Sequence, residues 1–319
     1  MILVTGATGF VGRHLVRRLA GAGEAVRCLV RAGSAGLEAL RPGPVELVVG
    51  HLLDADVVAA ACRGCRQVVH LGAPVHDARD AVVERVQVEG MACLVEAARQ
   101  ARVERILTVG PLGSASAAGL PFLRSRGRAE ELLRESGLAY VILQSSLMFG
   151  AEDRLVGGMI RLLQRTGVLV IPGTGKTMLQ PIWVGDVISC LLRALVEEDA
   201  LDRTIPLGGP QHLTYEEVAD QVGRMLNVPH IKVHVSHRMA AWATRLLAGV
   251  RANPFPAYGH LEMLSVGTIT ALDAVRQAFG FQPMPLVEGL AYQLLPAREG
   301  SPRGPSVRAE RSSRPRHRP

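Results

Sequence analysis

The chain has 319 residues, 48% hydrophobic and 20% charged, with a formal charge of +7. That length suits one large α/β unit or two fused ones and buries a core without disulfide staples. An aromatic content of 4% argues against a base-stacking nucleic-acid surface, so no specific nucleic acid is expected as a partner.

In chain order, "MILVTGA" is a short apolar strand without alternation, the mark of a strand buried in a parallel sheet. "GFVGRHLVRRLAGAG" follows as a helix, apolar at Val11, Leu15, Val16 and Leu19 and basic opposite. "AVRCLVR", "VELVVG" and "QVVHLGA" read as the next strands, with the helix "DADVVAAACRG" before the last of them. "VVERVQVEGMACLVEAARQA" is one long helix and "RILTVG" a fifth strand; a helix over Ser125–Ser136 and a strand over Tyr140–Gln144 follow. Strands alternating with helices predict an α/β fold, a doubly wound parallel Rossmann sheet in residues 1–150. Beyond Gly150 the pattern loosens into a smaller C-terminal α/β lobe, residues 151–295, interleaved with the end of the sheet. Its helices are "LVGGMIRLLQRTG", "QPIWVGDVISCLLRALVEE" with Asp186 as N-cap, "LTYEEVADQVGRML" with a Thr214–Glu217 capping box, and "HRMAAWATRLLAG". "TIPLGG" is a strand. Residues 296–319 hold seven Arg and two Glu among Pro, Ser and Gly, and read as a disordered basic tail.

"VTGATGFVG" sets Gly6, Gly9 and Gly12 directly after a strand and at the opening of a helix. Gly6 permits the tight turn, Gly9 lets backbone approach a pyrophosphate, and Gly12 lets helix pack on strand. The helix N-terminus then offers N–H groups and partial positive charge. The expected dinucleotide contacts are Gly6, Thr8, Gly9, Phe10, Val11 and Gly12 in this loop, and Leu71, Gly72 and Ala73 after the fourth strand. At the end of the second strand, where an acid would bind the ribose hydroxyls of NAD, stand Arg31 and Ser34. A cation beside a hydroxyl suits a 2′-phosphate, which favours NADP(H) over NAD(H).

Two other motifs lead nowhere. "PGTGKT" resembles the end of a P-loop, but Val170 stands where that motif needs its first glycine. Cys62 and Cys65 form a CxxC that closes a helix, where the dipole raises a thiol pKa rather than activating it. Five Cys, the absence of a leader before "MILVTG" and the lack of an apolar run of about eighteen residues predict a cytoplasmic protein without a membrane span.

The segments "VTGATGFVGRHLVRRL", "VVHLGAP", "VEGMACLVEAARQARVERIL", "AEELLRESGLAYVIL", "SSLMFG", "QPIWVGDV" and "LGGPQHLTYEEVA" resemble an atypical short-chain dehydrogenase/reductase of the extended kind, the group of NAD-dependent epimerases and dehydratases. Within it the chain most resembles the branch of the nucleotide-binding accessory subunit of respiratory complex I, whose C-terminal region is similar to "NPFPAYGHLEMLSVGTITALDAVRQAFGFQPMPLVEGL". The resemblance implies a dinucleotide across the switch point of the sheet and a protein partner or membrane-associated complex, with a location peripheral to the inner membrane.

It also implies a Ser, a Tyr and a Lys for catalysis. Gly110 and Pro111 stand at the Ser, Phe122 at the Tyr and Arg126 at the Lys. A phenyl ring has no proton to give. Arg stays protonated, yet can still bond a ribose or phosphate. Further departures are His51, beside Leu52, where the family places the acid on the adenine side; Gln87 for an Asn; and Gln144 for the Arg before Pro-Ser. Ser114 and Ser116 are the substitute hydroxyls, and His76, near Asp77 and His70, is the spare acid. Tyr140 is expected to be buried, with its hydroxyl in a core bond.

Two readings follow. One is a dinucleotide-binding protein with little or no hydride transfer and an accessory, structural or sensing role. The other is an active NADPH-dependent reductase or epimerase with a displaced proton donor, acting on a quinone, carbonyl or nucleotide sugar. The helix around Trp242 is a candidate partner face, and the tail predicts salt-sensitive binding to an anionic surface.

Overall fold

The computed structural model describes residues 1–34, 40, 45–72, 80–115, 118–236, 239–240 and 264–294. Ala73, His76, Asp77, Ser116, the helix around Trp242 and the basic tail lie outside the described residues.

Seven parallel strands form the central sheet: β1 (Ile2–Thr5), β2 (Val26–Val30), β3 (Val45–Val49), β4 (Gln67–His70), β5 (Arg105–Pro111), β6 (Ala139–Ser145) and β11 (Arg203–Leu207). Their order is β11-β6-β5-β4-β1-β2-β3, so the chain reverses direction between β1 and β4. Open α/β sheets bind ligands at the carboxyl ends of the strands at this switch point. Both faces are covered. On one side lie α1 (Phe10–Gly21), α7 (Val184–Ala194) and α9 (Ala274–Phe279), with Leu15, Leu19, Val187, Leu191 and Phe279 in the core. On the other lie α2 (Ala55–Cys62), α4 (Gly90–Gln100) and α5 (Pro121–Arg134), with Val58, Met91, Leu94 and Leu133. Each such side chain contributes about 1.5–3 kcal/mol on burial. That is why the inner strands read as unbroken apolar runs.

The long helix predicted before β5 is real but interrupted: α3 (Asp80–Glu84) passes through a π-turn, Arg85–Glu89, into α4. The helix expected from Ser125 begins at Pro121, whose ring suits the first helical position, so Phe122 lies in its first turn. A second core cluster unites Leu147 and Phe149 with α6 (Val156–Thr166), β8 (Val168–Pro172), α8 (Tyr215–Leu226) and α10 (Leu286–Leu294). The two-residue strands β7 (Met148–Phe149), β9 (Met178–Leu179), β10 (Ile182–Trp183) and β12 (Leu213–Thr214), and β13 (Ile231–Val235) beside β8, are not predicted by any pattern. The Thr214–Glu217 capping box is present. Asp186 is not a cap. Trp183 holds that position, and Asp186 accepts the Met284 N–H at 2.7 Å, tying α7 to the approach of α10. Cys62 is buried at the end of α2, its thiol pushed up to about 12 by burial. No described helix is long and apolar enough to cross a membrane.

Candidate functional site

At the switch point the turn after β1 meets the turn after β4. Gly6 adopts φ +72°, and a Cβ there would stand 2.6 Å from the backbone of Leu71 and Gly72. A Cβ on Gly12 would stand 2.2 Å from the Gly6 carbonyl. Gly9 is exposed, extended, and bonded through its N–H to the Gly6 carbonyl at 2.9 Å. It caps α1 without a side-chain bond, and no acid occupies the first turn. The N–H groups that open α1 therefore meet no acid from the helix's own first turn, which fits the pyrophosphate of a dinucleotide.

The flanking expectations are placed as follows. Arg31 is exposed at the carboxyl end of β2, and Ser34 turns back to it through an N–H to the Arg31 carbonyl at 3.1 Å. Phe10 and Val11 pack on the core, with Phe10 edge-on to His14. Thr8 is half-buried in the loop. His51 is exposed and accepts the Leu53 N–H, while the Leu52 side chain crowds Gly90.

The other half of the crevice is built differently. Thr5, His70 and Thr108 stand in register across β1, β4 and β5. His70 Nδ1 and Thr5 Oγ1 are 2.7 Å apart, and Thr108 Oγ1 donates to the His70 carbonyl at 2.9 Å. Burial drives the His70 imidazole down to about 3, so it is a neutral core histidine. Arg126 is buried with them: it donates to Thr108 Oγ1 and, at 2.9 Å, to the Val109 carbonyl. Its Nε lies 3.5 Å from Glu130, which also receives Arg134 at 3.3 Å and Gln144 at 2.7 Å. Glu130 is wholly buried. Burial pushes its carboxyl up from the ordinary value, opposed by Arg126, Gln144 and Arg134. Arg126, expected to reach a ribose or phosphate, is thus turned into the core.

Gly110 explains how. A Cβ there would meet Glu130 Oε1 at 2.5 Å and Arg126 Nε at 2.8 Å. The ion pair lies in the space a side chain at 110 would fill. Phe122 is buried with Val83 and Leu123 in a small apolar cluster. Pro111 ends β5, and Ser114 Oγ donates to the Pro111 carbonyl at 2.8 Å. Tyr140 is half-buried rather than buried, and sits at the opposite, amino end of the sheet. Sequence reasoning missed Glu130 and Thr108. The i,i+4 ladder Arg126–Glu130–Arg134 is visible in the sequence, but such ladders ordinarily lie on solvated faces. Among the described residues no group of three or more His, Cys, Asp and Glu could hold a metal ion.

Residues 6–156 match the NAD(P)H-binding family. That match spans the glycine turn and strands β2 to β6 of the parallel sheet, and the fold is Rossmann-like. More particularly, it is 25% identical to NADH dehydrogenase [ubiquinone] 1 alpha subcomplex subunit 9 of Rattus norvegicus, over 89% of this chain and 76% of the relative. It is 30% identical to the photosystem II assembly factor Ycf39 of Cyanophora paradoxa, over 65% and 63%. It is 28% identical to a 3-diazoavenalumate denitrifying reductase of Streptomyces, over 88% and 95%. Among solved structures, UDP-glucose 4-epimerase of Thermotoga maritima shares the fold, with a TM-score of 0.75 at 19% identity over 92% of this chain and 96% of that one.

Proposed function

We propose that this protein binds a nicotinamide dinucleotide, NADP(H) in preference to NAD(H), and catalyses little or no hydride transfer, acting as an accessory, structural or sensing subunit of a larger assembly. One observation carries the reading: beside an intact glycine turn, Arg126 and Glu130 lie over Gly110, in the space of a catalytic side chain. A Ser-Tyr-Lys site needs a hydroxyl, a phenol and an amine facing the nicotinamide. Here those positions hold no hydroxyl, a buried phenyl ring and a guanidinium turned inward. Relatives named as a respiratory complex subunit and as an assembly factor support a binding role. The expected dinucleotide contacts are Gly6, Gly9, Gly12, Leu71 and Gly72, with Arg31 and Ser34 on the 2′-phosphate.

The test is a fluorescence titration with NADPH and NADH, followed by NADPH oxidation against carbonyls, quinones and nucleotide sugars. Tight binding without turnover is expected, and Arg31→Ala should weaken NADPH about tenfold while sparing NADH, the size of one charged contact. Turnover near 1 s⁻¹, an ordinary enzyme rate, would overturn the reading. The relative named as a reductase, which this chain matches over 95% of its length, favours the alternative, an active NADPH-dependent reductase with a displaced proton donor. Turnover unchanged by Phe122→Tyr and abolished by His76→Ala would establish it.

A further inference from the structure

Among the described residues β13 pairs with β8 alone, in parallel, and its other edge is open. The Ile231 N–H goes to the Gly167 carbonyl at 2.9 Å, and the Val235 carbonyl takes the Gly173 N–H at 2.7 Å. Backbone groups alternate in direction along a strand. Ile231, Val233 and Val235 therefore bond toward β8, and Lys232 and His234, both exposed, turn their N–H and C=O groups to the open edge. A two-stranded sheet is marginal in water, and a bare edge is a template for another strand.

The side chains alternate too. Lys232 lies on the α8 side, 2.8 Å from Glu216 and 3.0 Å from Asp220. Among the described residues these carboxylates have no other ion-pair partner, so one cation serves two acids. His234 follows on the same side, its Nδ1 held 3.1 Å from the Gly173 carbonyl. The opposite side is apolar. Ile231 is 70% and Val233 42% exposed, and Val168 and Val170 stand beside them in register.

We propose that two copies of this chain pair through β13, the strand of one antiparallel to the same strand of the other. A two-fold axis at Val233 lets Lys232 of each copy exchange both backbone bonds with His234 of the other. On the apolar side Val233 meets Val233 and Ile231 meets Val235, β-branched pairs of the kind that stabilise antiparallel strands. On the other side the imidazole of the second copy arrives beside Lys232, Glu216 and Asp220, where negative charge is in excess, and an imidazole can carry the missing positive charge. That charge match and the self-complementary register select a second copy of the chain as the occupant. The pairing is independent of the dinucleotide.

The test is sedimentation of the full chain over a concentration series. The contact is small, so a dimer is expected that dissociates on dilution to about micromolar concentrations. Val233→Lys sets two like charges against each other on the axis and should raise the dissociation constant at least about fivefold. Val196→Lys, at a position 72% exposed elsewhere on the surface, should leave it unchanged. A short bismaleimide should crosslink Val233→Cys into dimers above the wild-type level and Val196→Cys no more than wild type. The cysteine variant is smaller than the native side chain at an exposed site, so it reads the contact even where Val233→Lys does not fold. A chain that stays monomeric overturns the proposal. So does a dimer that neither weakens with Val233→Lys nor crosslinks through Val233→Cys, because its contact lies on another face.

Discussion

The two halves of the crevice solve opposite problems with the same element, a glycine at the end of a strand. At β1, Gly6 removes a side chain so that two backbone turns can meet, and the Leu71–Gly72 backbone takes the space. At β5, Gly110 removes a side chain and the space is taken from within, by Arg126 and Glu130. The first keeps backbone N–H groups available to an anion. The second buries a guanidinium and a carboxylate against each other and against Thr108, Val109 and Gln144. A glycine therefore says little until its neighbours are known. What matters is whether backbone or side chain moves into the volume it leaves.

The largest expected effect breaks the second half. Glu130→Ala leaves Arg126 buried without its carboxylate, and losing one partner of a buried pair costs about 3–5 kcal/mol. Urea unfolding should show it directly. The paired replacement Arg126→Met with Glu130→Leu should cost much less, because no charge remains to be desolvated. Both proteins should still bind the dinucleotide. A single variant as stable as wild type would mean that water reaches the pair and that the β5 end is not sealed.

Next in size is the first half. Gly6→Ala forces an L side chain into a left-handed turn and against backbone at 2.6 Å. Strain and overpacking together should cost about 2–4 kcal/mol. Unlike the Glu130 change, it should also abolish dinucleotide binding. Measuring stability and NADPH affinity on both variants separates the halves: affinity lost at Gly6 and kept at Glu130 is the expected pattern, and the reverse would overturn the comparison.

The frame of the fold was legible because its signals are local. Apolar runs without alternation mark β1 and β4, and three glycines after a strand mark the turn, since each reports a constraint met within a few residues. The inward turn of Arg126 was not legible in that way. Its direction depends on the space above Gly110, sixteen positions back in the chain, and on Glu130 one turn ahead. The ladder that contains it has the spacing of a solvated face, and only the packing of α5 on β5 and β6 reveals which side is buried. Strands such as β7 and β10 are two residues long, too short to carry a period. Asp186 misled for a related reason: an acid in the first turn of a helix has the composition of a cap, whereas its partner is the Met284 amide, 98 residues later.

The smallest expected effect lies outside both halves and serves as their control. Burial raises the Asp186 carboxyl from its ordinary 3.8 to about 6, opposed by the bond from Met284. The folded chain then binds this proton more tightly than the unfolded chain does. Its contribution to stability is complete below about pH 4 and is lost as pH rises through 6; above about pH 7 it is flat. Asp186→Asn keeps an acceptor for the Met284 N–H and removes the titration. Relative to wild type it should therefore gain about 2–3 kcal/mol between pH 4 and pH 7. Urea midpoints at half-unit steps would trace this as two curves that separate through that window and run parallel above it. Curves parallel throughout would mean that Asp186 is solvated and does not tie α7 to α10. NADPH affinity should be equal in the two proteins at every pH, because this carboxylate supports the face of the sheet opposite α5 and touches neither the glycine turn nor the Arg126–Glu130 pair.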